Sequence, residues 1–393
     1  MKNKKIFFLV LFAFVLLFLF LVFPQDIADN DTKESEKTTE EPMKEQELFE
    51  RYYKEAEKEL EDMSLEEKIG QLFLVRFDNT KIESTLAQTA PSGYVLFAKD
   101  IENKTKDSLK QELDSYQTKA KVNLIFAVDE EGGTVTRISR FPAFRSEKFK
   151  SVRDYYLEGG IPLLLTIEEE KEVLLKEVGI NLNLAPVADV STNPDDYIYN
   201  RTLGEKTEIV SDYIKEIAKY ARGNNFAITL KHFPGYGGNV DTHMGISLDQ
   251  RSQEEIQTES LPPFQAGIEE KAPIIMVSHN KIESYDSTAP ASLSKPLHDL
   301  LREMGFTGLI LTDDLDMAAI QEDLNGENEA VKAFLAGNDL IMTSSYEEDL
   351  NALEEAIEND TIKEEDLNER VKKILAFKYQ YQIIKKENLS NGG

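Results

Sequence analysis

Eight short apolar runs recur along the chain: QLFLVRF (71–77), GYVLFAK (93–99), VNLIFAVD (122–129), NLNLAPV (181–187), FAITLKH (226–232), APIIMVS (272–278), GLILTDD (308–314) and NDLIMTS (338–344). Each has the length of a strand buried on both faces, which carries apolar side chains at successive positions rather than alternate ones. Between most of them lie amphipathic stretches such as SDYIKEIAKYARG (211–223) and LSKPLHDLLREMG (293–305). Those two close on Gly223 and Gly305, residues that suit helix stops. Strands alternating with helices in this number predict an α/β fold, a single (β/α)8 TIM-type barrel. A doubly wound open sheet is the structural alternative. No G-x-G-x-x-G follows the early strands, so a dinucleotide site has no support.

The N-terminus is of another kind. Lys2, Lys4 and Lys5 precede an unbroken apolar run from Ile6 to Phe23. Such a run spans roughly 27 Å as a helix, close to the thickness of a bilayer core. It ends at Phe23-Pro24-Gln25 without a small-residue cleavage pattern or a cysteine for lipidation. Residues 1–24 are therefore expected to be an uncleaved signal anchor, with the lysines cytoplasmic and the rest of the chain outside the membrane. Residues 25–47 are polar and acidic and are expected to form a disordered linker. The barrel is expected to occupy 48–385, with a disordered tail at 386–393. It opens on a helix from about Leu48 to Met63 and a capping-box start at Ser64 with Glu67. The last amphipathic segment, 364–381, uses up the chain, so one catalytic domain is expected.

Charge narrows the possible partners. With 73 acidic and 45 basic residues the formal net charge is −28, which repels phosphate backbones and argues against nucleic acid. The chain has no cysteine, which excludes disulfides, zinc–thiolate sites and thiol nucleophiles. No metal or organic cofactor is expected, since the spacing of His232 and His243 matches no standard ligand pattern. The chain is expected to act as a monomer.

In a barrel of this type the chemistry lies at the carboxyl ends of the strands. Ionisable residues stand where the apolar runs stop: Asp129, Lys231 and His232, His279, and Asp313. The richest segment is KHFPGYGGNVDTH (231–243), where a Lys-His pair enters a glycine-bearing loop that returns with Asp241 and His243. Two residues apart on an extended segment, Asp241 and His243 project to the same side. A carboxylate beside an imidazole fixes its tautomer and supports acid/base work. A surface salt bridge with a capping aspartate is the plainer interpretation of an isolated D-x-H. The second element is LTDDLDM (311–317), in which Asp313 follows a buried strand and could attack an anomeric carbon. Spacing alone leaves Asp314 and Asp316 as neighbours open to the same role, or as acids favoured by a helix N-terminus.

Taken with MSLEEKIGQLF (63–73), GYVLFAKDIEN (93–103), AVDEEGGTVTR (127–137), LNLAPVADV (182–190), NRTLG (200–204), PASLSK (290–295) and AGNDLIM (336–342), these segments run in the order found in glycoside hydrolase family 3. The chain resembles that family, within it the β-N-acetylglucosaminidase branch, over about residues 50–380. The resemblance implies Asp313 as nucleophile, His243 as proton donor and acceptor, and Asp241 as its orienting partner. It also implies that Asp129, Arg137, Arg201, Lys231 and His232 hold the sugar. Three positions depart from the family pattern: Tyr236 stands where a histidine is usual, the loop between Gly237 and Asp241 is one residue shorter, and Thr134 replaces an arginine often seen after E-G-G.

The function expected from the resemblance is retaining hydrolysis of terminal β-linked N-acetylglucosamine from cell-wall saccharides, through a covalent glycosyl-enzyme. The alternatives are a β-glucosidase, β-xylosidase or phosphorylase of the same family, and, from another class, a catalytically inactive wall-binding protein.

Overall fold

The computed structural model describes residues 47–239, 247–316 and 327–385. The expected anchor at 1–24, all of the linker but Glu47, the tail at 386–393, and Asp241 and His243 lie outside the described residues. Among the described residues no helix is long and apolar enough to cross a membrane.

All eight apolar runs become parallel strands: β1 (Phe73–Arg76), β2 (Gly93–Leu96), β3 (Ile125–Val128), β4 (Leu182–Asn183), β5 (Ala227–Phe233), β6 (Ile274–Val277), β7 (Leu309–Thr312) and β8 (Ile341–Thr343). Their order in the sheet is β8-β1-β2-β3-β4-β5-β6-β7. A parallel bridge between Leu311 and Leu340 joins the two ends and rounds the sheet into a barrel. The strands are buried almost throughout, as continuous apolar runs require, with Leu74, Val95, Phe126, Ile275 and Leu311 all fully covered. Each such side chain contributes roughly 1.5–3 kcal/mol relative to exposure.

The fourth run yields only a two-residue strand. Pro186, which has no N–H, ends the regular ladder with β3, and Ala185 and Pro186 instead offer carbonyls to the amides of Thr229 and Lys231.

Helix boundaries follow local chemistry. Helix α1 (Leu65–Gly70) starts on the expected capping box: the Glu67 amide donates to Ser64 Oγ at 3.3 Å and the Ser64 amide to Glu67 Oε2 at 2.8 Å. Helix α2 (Val152–Glu177) bends where Gly160 leaves helical geometry just before Pro162. Helix α3 (Thr207–Asn224) does not stop at Gly223 as expected. It runs one residue further and ends on Asn225, whose left-handed backbone (φ 51°, ψ 47°) lets its amide reach back to Ala221 and Arg222. Helix α4 (Lys295–Glu303) ends before Gly305, at φ 86°, as its sequence predicts.

Candidate active site

The carboxyl ends of the strands surround a cavity of about 1020 Å³. Asp129 leaves β3, Lys231 and His232 belong to β5, and Asp313 follows β7 directly. Arg137 reaches in from the loop after β3, and Arg201 from a short 3-10 turn, Tyr199–Arg201, between β4 and β5. The fold thus brings together the six of the eight sequence-predicted site residues that are described.

The loop after β3 is shaped by Glu130, which is fully buried. Its carboxylate accepts the amides of Arg137 and Ile138, each at 2.8 Å, and so folds 130–139 back on itself. Gly132, at φ 111°, turns the chain against Lys150, where a Cβ would sit 2.3 Å from the Lys150 carbonyl oxygen. This turn aims Asp129 at the cavity and tucks Glu131 beneath it.

A chain of alternating charges results. Arg137 donates to Asp129 Oδ2 at 3.1 Å, and Lys231 Nζ donates to Asp129 Oδ1 at 2.7 Å. Lys231 Nζ also lies 2.7 Å from Glu131 Oε1. Arg201 grips Glu131 with both prongs, Nε at 3.0 Å and a terminal nitrogen at 2.7 Å. That same terminal nitrogen sits 3.0 Å from His232 Nε2. Since a guanidinium can only donate, Nε2 accepts, and Nδ1 carries the proton it gives to Asp189 Oδ2 at 2.7 Å. Asp189 also accepts the main-chain amides of His232 at 3.1 Å and Tyr236 at 2.7 Å.

The ionisation states follow from this pairing. Burial alone would push the Asp129 and Glu131 carboxyls up. Lys231 with Arg137 at Asp129, and Arg201 with Lys231 at Glu131, outweigh it and hold both below the usual carboxylate range. Burial would likewise lower Lys231 and Arg201, but Asp129 and Glu131 raise the first and Glu131 raises the second. The four groups are locked as ions.

Asp313 is also held below its ordinary range. Burial opposes this, but nearby His279, the Asp314 amide on Oδ1 at 2.9 Å and Lys231 favour the charged form. Asp314 differs: burial first, then Asp316 and Asp313, push its carboxyl up to about 6. Asp316 is committed elsewhere, accepting the Ser344 amide at 2.6 Å and the Ser345 hydroxyl at 3.0 Å. The three neighbouring aspartates, equivalent by spacing alone, are therefore distinct. Of the three, Asp313 alone lines the cavity with its carboxyl held below the ordinary range.

Two residues of this arrangement were not among the sequence candidates, Glu131 and Asp189. Their partners lie 70 and 43 positions away, and nothing in their local sequence marks either as paired. Tyr236, the departure from the usual histidine, is buried and packs edge-on against His232 with ring centres 5.1 Å apart. The glycine turn ahead of it is braced by Arg251, which donates to the Gly235 carbonyl at 2.8 Å and pairs with Asp249.

Fold and site together define a (β/α)8 barrel whose ionisable groups gather at the carboxyl ends of its strands. The chain belongs to glycosyl hydrolase family 3: the model of that family's N-terminal domain matches residues 64–377. It is similar to β-hexosaminidase A of Pseudoalteromonas piscicida, 29% identical over 315 residues, which cover 73% of this chain and 53% of that protein. A β-hexosaminidase of Methylococcus capsulatus is 30% identical over 278 residues, 70% of this chain and 82% of that protein. The chain thus spans about half the length of the first relative and most of the second. Among solved structures, a glycoside hydrolase family 3 β-N-acetylglucosaminidase from a Paenibacillus species superposes with a TM-score of 0.76 at 26% identity, covering 84% of this chain and 65% of that one.

Proposed function

We propose that the protein is a retaining β-N-acetylglucosaminidase. The observation that carries this is Asp313, a carboxylate held below its ordinary range at the end of β7, lining a cavity that Asp129, Lys231 and Arg201 also line, with Glu131 pairing the two cations behind them. An ionised carboxylate is what attack on an anomeric carbon needs, and fixed ions and N–H donors suit a ring of hydroxyls. The names of the relatives support an N-acetylated hexosamine over plain glucose.

In the proposed reaction Asp129, Arg137, Arg201, Lys231 and His232 hold the sugar. Asp313 attacks the anomeric carbon while His243, oriented by Asp241, protonates the leaving oxygen. The bond to the aglycone breaks and a glycosyl-enzyme forms. Water, deprotonated by His243, then releases the sugar with its configuration retained. With residues 1–24 as a membrane anchor, the barrel works outside the membrane, where fragments of peptidoglycan carry β-linked N-acetylglucosamine.

Side-by-side assays on an aryl N-acetyl-β-glucosaminide and an aryl β-glucoside test this. The acetylated substrate should be strongly preferred, and Asp313→Ala and His243→Ala should each lose nearly all turnover. Preference for the glucoside would overturn the specificity, and near-normal rates in either variant would overturn the residue roles. Formation of sugar-1-phosphate on adding phosphate would replace hydrolysis with phosphorolysis.

A further inference from the structure

Arg76, the last residue of β1, stands apart from the ion chain around Lys231. It is half-buried and lines the catalytic cavity, yet among the described residues its guanidinium forms no ion pair and its buried Nε has no hydrogen-bond partner. Its Cζ lies 4.3 Å from the centre of the Phe97 ring, a contact that attracts the cation without neutralising it. Arg137 approaches that ring too, at 5.3 Å, and its Nε is likewise buried without a partner among the described residues. Every other cation of the site is committed to a carboxylate: Arg137 to Asp129, Arg201 to Glu131, and Lys231 to both.

A second cavity, of about 430 Å³, adjoins the first, and Arg76 lines both. The second cavity sets Lys81 and Lys99 against Asp78, Glu347 and Glu348, so its own walls do not select for negative charge. Arg76 at the junction is the group that can. Thr134 also lines the first cavity, at a position where the family pattern often has arginine, while Arg76 supplies an uncommitted cation from β1.

Asp314 and Asp100 act on this half-buried guanidinium through space but neither pairs with it directly, so a ligand that brings an anion into contact gains from it. Resting on the hydrolase activity proposed above, we infer that Arg76, with the spare edge of Arg137, recognises an anionic substituent of the substrate. The substituent is a carboxylate or a phosphate monoester, carried into the junction between the two cavities. Carboxylate and phosphate share the planar or forked acceptor geometry that a guanidinium matches. A carboxylate would come from the neighbouring sugar, and a phosphate from the N-acetylglucosamine itself.

The test is the ratio of kcat/KM for an anionic substrate over its neutral counterpart, in the full chain and in Arg76→Gln. One arm compares an aryl N-acetyl-β-glucosaminide with its 6-phosphate. The other compares N-acetylglucosamine linked to a neutral sugar with N-acetylglucosamine linked to a sugar bearing a carboxylate. In the arm that holds the natural substituent, the ratio should fall about tenfold or more in Arg76→Gln. Arg76→Lys, which keeps charge but loses the fork, should recover part of it, and added salt should weaken the preference. A ratio unmoved by Arg76→Gln in both arms, with the variant folded by thermal melt, would overturn the inference. If the unaltered protein turned over none of these substrates, the hydrolase proposal would fail on its own. The same ratio read as Kd on Asp313→Asn, with and without Arg76→Gln, would then decide whether Arg76 selects anions.

Discussion

Glu131→Gln probes the ion chain at the buried carboxylate that joins its two cations, Arg201 and Lys231. The Glu131 side chain is 5% exposed and takes three charge-assisted contacts, two from Arg201 and one from Lys231. Glutamine keeps the shape and one acceptor oxygen, but turns an NH2 group toward one of the two cations. Lys231 keeps Asp129, whereas Arg201, with its side chain only 14% exposed, loses its carboxylate partner. Removing one partner of a buried pair costs about 3–5 kcal/mol, and the surviving Lys231–Asp129 contact favours the lower end. At ~2 °C per kcal/mol for a domain of this size, the melting temperature should fall by roughly 6 °C, with a matching shift in denaturant midpoint. Lys110→Ala is the control. Its pair with Asp114 is exposed, 47% and 58%, and should contribute no more than about 0.5 kcal/mol. If Glu131→Gln and Lys110→Ala melted within a degree or so of each other, the claim that buried ion pairing organises this mouth would be wrong.

Three further outcomes follow. Asp314 has its carboxyl raised to about 6 in the folded chain, so the stability linked to its proton is fully present below about pH 4 and lost as pH rises through 6. Asp314→Asn should therefore be more stable than the unaltered chain at pH 7.5, by about 1–2 kcal/mol after allowance for partial exposure, with the gap closing toward pH 4 in urea titrations. For Asp129, Glu131 and Asp313 the sign is opposite: held below their ordinary range, they contribute stability above about pH 4 that is lost as pH falls through their folded values, which acid-unfolding curves of neutral variants would detect. Asn225→Ala should cost about 1 kcal/mol, since alanine pays for the left-handed stop of α3 that asparagine tolerates, whereas Asn225→Gly should be near neutral by thermal melt.

The barrel was legible in the sequence because strands buried on both faces leave uninterrupted apolar runs, and all eight were visible as such. What remained hidden was short-range or long-range in a particular way. Asn225 rather than Gly223 ends α3 because either can take a left-handed backbone, and only the packed helix decides which does. Pro186 cuts β4 to two residues although apolar character continues to Val187. The site residues at the carboxyl ends of strands, Lys231 and His232 within β5 and Asp129 and Asp313 just after β3 and β7, could be read from position alone. Glu131 and Asp189 could not. In a chain with 73 acidic residues, a carboxylate becomes informative only when its partner arrives from a distant part of the chain, Arg201 for Glu131 and His232 for Asp189. Spacing also left Asp313, Asp314 and Asp316 equivalent, and their surroundings separate them.

The most direct test is to quench the enzyme during turnover of an aryl N-acetyl-β-glucosaminide and map where sugar is attached. One N-acetylglucosaminyl group should be found on the peptide containing 311–317, esterified at Asp313, and should be missing from Asp313→Asn. Attachment to Asp314 or Asp316, or steady turnover by Asp313→Asn with no labelled peptide, would mean that the carboxylate at the end of β7 is not the nucleophile.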